Sequence, residues 1–206
     1  NMNVKVKFKE QNFFATISDV DIKFLSKSNF INIKKAVESY GVVVIESQNI
    51  DDEDQIKFSQ GFGKLEISIG TQTKSPDYNT ENAIRPEISR IGNVDLKNKT
   101  ISADKQKVVF DRGNNYWHTD SSFKPIPAKI SILSAREVPE AGGGTNFIDA
   151  RHALETWESK PRKYSIKDLK DCICEHSIVY SRMLNTGDIF DDKFKQDMPY
   201  VKQRLI

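Results

Sequence analysis

No stretch of this chain is apolar for long enough to cross a bilayer: the most hydrophobic run, "GVVVIES" at 41–47, falls far short of the roughly 20 residues a spanning helix needs. The opening residues show neither the apolar core nor the small-residue cleavage site of a secretion signal, so a cytoplasmic location is the expectation. An excess of either charge is missing as well. Lys and Arg number 31 against 29 Asp and Glu, interspersed along the chain, which argues against nucleic acid or a membrane surface as partner, since both call for basic charge gathered on one face. A small-molecule partner is the expectation, and a homo-oligomer is left open. Cysteine is scarce. Cys172 and Cys174 stand too close along the chain for an unstrained disulfide, and no second pair exists to complete a metal site, so they read as free thiols in a reducing compartment.

What the chain has is room for one sizeable core in its 206 residues, and a single domain over 1–206 is the expectation. "VKVKFK" at 4–9 alternates as a half-wet strand. A helix is predicted over 27–40, capped by Ser28 or Asn29 and stopped by Gly41, then a buried strand in "VVVIES", then a second helix in "DDEDQIKFSQGFG" with an acidic first turn. A long polar loop, "TQTKSPDYNTEN" at 71–82, precedes a strand in "EISRIGNV". Beyond residue 100 the pattern is mostly short strands divided by Pro125, Pro127, Pro139 and glycines 142–144: "KVVFD", "NNYWHTDSSF", "KISILSAREV" and "GTNFIDA". Helices are expected at 149–158 and near 165–171, a strand in "CICEHSIVYS" at 172–181, and the beginning of another in "VKQRLI". Flanking helices around many short strands indicate a mainly β, α+β chain of sandwich or barrel type.

"NNYWHTDSSF", residues 114–123, holds the pattern with chemical content. On an extended segment, residues two apart project to the same side, so His118 and Asp120 would present an imidazole and a carboxylate to one point. Those are two members of the 2-His-1-carboxylate set that binds non-heme Fe(II) and leaves positions open for substrate and oxygen. The alternative is a histidine that hydrogen-bonds its neighbouring carboxylate within an aromatic core, and spacing alone does not choose between them. About 20 residues on, "EAGGGTNFID" turns tightly through three glycines into Thr145, which is either a ligand-facing hydroxyl or a β-former opening a strand.

Over a longer reach, "WHTDSSFKPIPAKISILSAREVPEAGGGTNF" at 117–147 resembles the core of the TauD/TfdA family of Fe(II)- and 2-oxoglutarate-dependent dioxygenases, particularly its 2,4-dichlorophenoxyacetate dioxygenase-like branch. The likeness extends back through "YGVVVIESQNIDDEDQIKFSQGFGKLE" and forward through "EHSIVYSR". The resemblance implies a double-stranded β-helix, or jelly roll, flanked by helices. It also implies an iron site in which His118 and Asp120 are ligands, with Thr145 contacting a 2-oxoglutarate carboxylate and Asn114 contacting substrate. Fe(II), 2-oxoglutarate and O2 would then hydroxylate an unactivated C–H bond of a small anionic molecule, with succinate and CO2 released. Trp117 is expected to pack beneath the metal strand, His176 to have a packing or supporting role, and His152 to sit at a helix surface. The 71–100 loop shows no diagnostic anion clamp: Arg85 and Arg90 are candidates for one, and a solvated arginine in a loop is the commoner case.

The family's third iron ligand, a later histidine, and the arginine that pairs with the far carboxylate of 2-oxoglutarate have no counterpart in the sequence; Arg204 comes too early for that role. The last strands of the jelly roll are accordingly expected to be missing, and the 206-residue chain alone is expected neither to hold Fe(II) firmly nor to turn over 2-oxoglutarate. Two other readings stand beside the dioxygenase. One is a non-catalytic jelly-roll binding module or inactive truncated homologue; the other is a zinc hydrolase, for which no H-E-x-x-H glutamate is present.

Overall fold

A computed structural model describes residues 3–6, 13–67, 69, 85–89, 91–92, 99–102 and 112–206. The expected loop at 71–82, the strand at 107–111 and parts of 4–9 and 87–94 lie outside the described residues. The chain divides into two compact units, each made of two separate stretches: Asn1–Gly63 with Ile132–Leu169, and Lys64–Ser131 with Lys170–Ile206.

In the first unit three strands, β1 (Asn3–Val6), β2 (Phe14–Ser18) and β3 (Val42–Ile45), form a sheet in that order. β2 has no counterpart among the sequence expectations. It is the central strand, antiparallel to β1 and parallel to β3, and Ala15, Thr16 and Ile17 are all buried. β3, expected to be buried, is an edge strand of this sheet, and Val44 is 43% exposed. A parallel pair needs a crossover, and helix α1 (Lys27–Tyr40) supplies it. Ser26 caps that helix, ahead of the expected Ser28 or Asn29, because its Oγ is the one placed to accept the Asn29 N–H, at 3.1 Å. Gly41 ends it at φ +70, a left-handed conformation that favours glycine.

Helix α2 (Asp52–Gln60) opens with a reciprocal capping box between Asp51 and Asp54. The core of the unit joins Ile17, Ile33, Ala36 and Phe58, with Phe30 edge-on to Phe58 and Phe62. Arg136 ties the later stretch to α2 by donating to the Ile50 carbonyl, Asp52 and Gln55. Helix α3 (Ala150–Glu155) begins at Asp149, which accepts from the Arg151 backbone N–H and pairs with its Nε. Burial opposes ionisation of Asp149, but the hydrogen bonds and charge of Arg151, with the His152 N–H, hold its carboxyl below the usual range. Arg151 also donates to the Glu38 and Ser39 carbonyls, covering the last turn of α1.

The strands expected at 114–123, 129–138 and 144–150 are not ladder strands among the described residues. Residues 112–115 form a 3-10 turn, 117–119 carry no regular structure, and Ser121 adopts φ +59. Prolines 125 and 127 remove ladder donors, and Gly142 and Gly143 adopt positive φ. Residues 129–134 do alternate between exposed and half-buried, as a strand would.

The second unit contains the antiparallel pair β4 (Ile173–His176) and β5 (Val201–Arg204), with helices α5 (Ile178–Thr186) and α6 (Asp192–Asp197). Helix α4 (Ile166–Lys170) leads into it. The strand expected over 172–181 stops at His176 because Ser177 caps a helix, its Oγ accepting from the Tyr180 N–H. Local capping overrides the β-propensity of Ile178 and Val179. Ile178, Phe190, Phe194 and Met198 form the core, against which Phe123 and Ile69 pack. Among the described residues no helix is long and apolar enough to cross a membrane.

Ile17 is fully buried at the centre of its sheet, so Ile17→Ala is expected to destabilise the fold by about 2–5 kcal/mol. Urea unfolding of both proteins measures this, and a change below about 1 kcal/mol would place the site outside the core.

Candidate functional site

His118 lies in the irregular stretch 117–119, between the 3-10 turn Arg112–Asn115 and a second turn beginning at Asp120. Although the segment is not a ladder strand, the two-residue spacing still brings His118 and Asp120 together. His118 Nε2 stands 3.4 Å from Asp120 Oδ1, longer than a good hydrogen bond. Two donors, each about 2.1 Å from a shared cation, lie about 3.0 Å apart at a right angle and about 3.4 Å apart near the tetrahedral angle. The 3.4 Å separation lies within that span, and it is equally the separation of an ion pair between a protonated imidazole and the carboxylate.

The remaining atoms of both side chains are engaged. His118 Nδ1 lies 2.6 Å from the Tyr116 carbonyl, which can only accept, so Nδ1 is the donor in this contact and Nε2 is the nitrogen that faces Asp120. Asp120 Oδ2 accepts from Ser131 Oγ at 2.6 Å, leaving Oδ1 toward the histidine. Both side chains are open to solvent, at 41% and 57% exposure. Among the described residues no group of three or more His, Cys, Asp or Glu is gathered to hold a metal.

The turn after Asp120 is fastened from below. Lys124, 8% exposed, pairs with Glu66 Oε1 at 2.8 Å and donates to the Ile67 carbonyl. Ser121 Oγ donates to the same Glu66 oxygen, the Lys124 N–H closes the turn onto the Ser121 carbonyl at 2.9 Å, and Gln203 donates to the Lys124 carbonyl. Phe123 anchors the turn in the core of the second unit.

Ahead of the pair, Asn114 is exposed, and its Oδ1 accepts from Nη2 of the buried Arg182 of α5 at 2.7 Å. Gly113 lies against that guanidinium, and a Cβ there would overlap it.

Thr145 belongs to the first unit, exposed, just past Gly142 and Gly143. Trp117 does not pack beneath a strand: it is 66% exposed, since the segment carrying it has no sheet among the described residues to cover it. His176 ends β4 opposite Val201, and His152 is exposed on α3. Arg85 begins the turn closed by Ile88, and Arg90 lies outside the described residues.

Sequence reading did not find Ser131, Lys124, Glu66 or Arg182. For Arg182 a signal existed: it stands four residues after Ile178, on the same helical face as an apolar core residue, where a lone charge calls for a buried partner.

The chain matches the family described as taurine catabolism dioxygenase TauD, TfdA family, over residues 7–189. It is 30% identical to the alpha-ketoglutarate-dependent 2,4-dichlorophenoxyacetate dioxygenase of Cupriavidus pinatubonensis, over 94% of this chain and 65% of that protein. With the enzyme of the same description from Burkholderia sp. (strain RASC) it shares 28% identity over 100% of this chain and 67% of the other. The crystal structure of AAD-2 in complex with Mn(II) and N-oxalylglycine superposes with a TM-score of 0.85 at 30% identity, covering 98% of this chain and 68% of that one. The chain thus spans about two thirds of the length of these relatives.

Ser131→Ala frees one oxygen of Asp120 and is expected to weaken Mn(II) or Fe(II) binding by the full-length protein about 10-fold or more. Anaerobic metal titration measures it, and an unchanged affinity would show that Ser131 does not orient the carboxylate.

Proposed function

This chain belongs to the TauD/TfdA family of dioxygenases, and on that premise we propose that the protein is a non-heme Fe(II)- and 2-oxoglutarate-dependent dioxygenase. It hydroxylates an unactivated C–H bond of a small, anionic organic molecule and releases succinate and CO2. The observation that carries this reading is the His118–Asp120 pair, in which Nε2 and Oδ1 face each other at 3.4 Å while the other nitrogen and oxygen are held by Tyr116 and Ser131. The relatives are named for 2,4-dichlorophenoxyacetate, so aryloxyacetates are the first substrates to try.

In this reading His118 and Asp120 are two of the iron ligands, Thr145 meets a carboxylate of 2-oxoglutarate and Asn114 meets the substrate. Bound iron, with 2-oxoglutarate and O2, supplies the oxidising power. The chain's own share is placement. The Tyr116 carbonyl keeps the His118 proton on Nδ1, Ser131 turns one oxygen of Asp120 away from the metal, and the Glu66–Lys124 pair holds the turn that follows. The two compact units, each built from interleaved stretches of chain, are read as parts of one domain.

In the full-length protein His118→Ala and Asp120→Ala should each abolish 2-oxoglutarate-dependent succinate formation. They should also remove the metal-to-ligand charge-transfer band that forms when Fe(II) and 2-oxoglutarate are added without oxygen. Succinate produced by His118→Ala at the wild-type rate would overturn the ligand assignment.

A further inference from the structure

Arginine has five N–H donors and no acceptor, so the atom of Asn114 that lies 2.7 Å from Arg182 Nη2 is the carbonyl oxygen. The usual ambiguity between the oxygen and nitrogen of an asparagine amide is removed by the chemistry of its partner. Arg182 is itself held: it is 7% exposed, on the helix that begins with the core residue Ile178, and its guanidinium lies against Gly113, where only a glycine leaves it room. Asn114 is exposed. Its oxygen faces a buried cation, and the group it has left to offer a ligand is the NH2, which donates and cannot accept.

From this geometry we infer that Arg182 is a positioning residue that locks the Asn114 amide with its NH2 available to the substrate, so the substrate group met there is a hydrogen-bond acceptor. A carboxylate, sulfonate or ether oxygen satisfies it; an ammonium, which has no acceptor, does not. The adjacent guanidinium polarises the amide further in the same direction, strengthening its N–H donors. The inference rests on the proposed role of Asn114 as a substrate contact and adds to it the polarity of the contact and the residue that sets it.

The test uses the full-length protein loaded with Mn(II) and N-oxalylglycine, so that no turnover occurs, with 2,4-dichlorophenoxyacetate as the probe and calorimetric titration as the readout. Asn114→Asp replaces the donor by an acceptor and is expected to weaken probe binding at least about tenfold, and Asn114→Ala by less. Arg182→Met should weaken it about tenfold when Asn114 is present and less than about twofold in the Asn114→Ala background, because the arginine acts through the amide. A merely structural role for Arg182 would lower affinity by the same factor in both backgrounds. Should Arg182→Met melt well below the wild type, Arg182→Lys keeps the charge and loses the planar fork, and the same dependence on Asn114 is expected of it. Equal factors in both backgrounds, or wild-type affinity in Asn114→Asp, overturn the inference while leaving the dioxygenase reading intact. A wild-type protein that fails to take up Mn(II) and N-oxalylglycine overturns that reading, and this inference with it.

Discussion

A buried ammonium must have a carboxylate, and in the second unit that requirement falls on Lys124. Its pairing with Glu66 joins two stretches of chain more than 50 residues apart, and the same Glu66 oxygen takes the Ser121 hydroxyl. The turn that contains both Ser121 and Lys124 begins at Asp120, so the ion pair determines where the candidate metal carboxylate sits. With Glu66 about one third exposed, the net gain from the pair is modest. Removing one partner is another matter, since the other would then be left uncompensated.

From this fixed turn the site is built by using up the atoms that should not act. Imidazole has two nitrogens and carboxylate two oxygens, and a ligand role needs one of each to be available. The Tyr116 carbonyl takes the first and the Ser131 hydroxyl the second. At Asn114 the same device recurs with opposite polarity, a donor-only arginine taking up the acceptor end of the amide. In each case a neighbour of fixed chemistry removes a choice that the side chain alone would leave open.

The helices and their limits were legible where local chemistry decides them. Gly41 at the end of α1 and the acidic start of α2 follow from capping and from backbone freedom, which act over four or five residues. The strands fared less well. β2 carries no pattern that sets it apart in the sequence, and residues 172–181 have strand composition although Ser177 opens a helix there, because β-branched residues are compatible with either state and only the cap separates them. The stretch from 114 to 150 shows why strand-like composition is not a strand: alternation is present at 129–134, but a ladder needs a partner, and none is formed among the described residues.

The H-x-D spacing and the extended likeness to one family were properties of the sequence, since both depend on residue identity in order along the chain. They were enough to name His118 and Asp120. Which oxygen of Asp120 is taken by a neighbour, and which end of the Asn114 amide meets a cation, were decided by tertiary structure alone. The residues that set them, Ser131 and Arg182, lie 11 and 68 positions away from the groups they meet. Sequence order carries no record of such contacts; only the folded chain, by closing those distances to hydrogen-bond length, assigns each donor its acceptor.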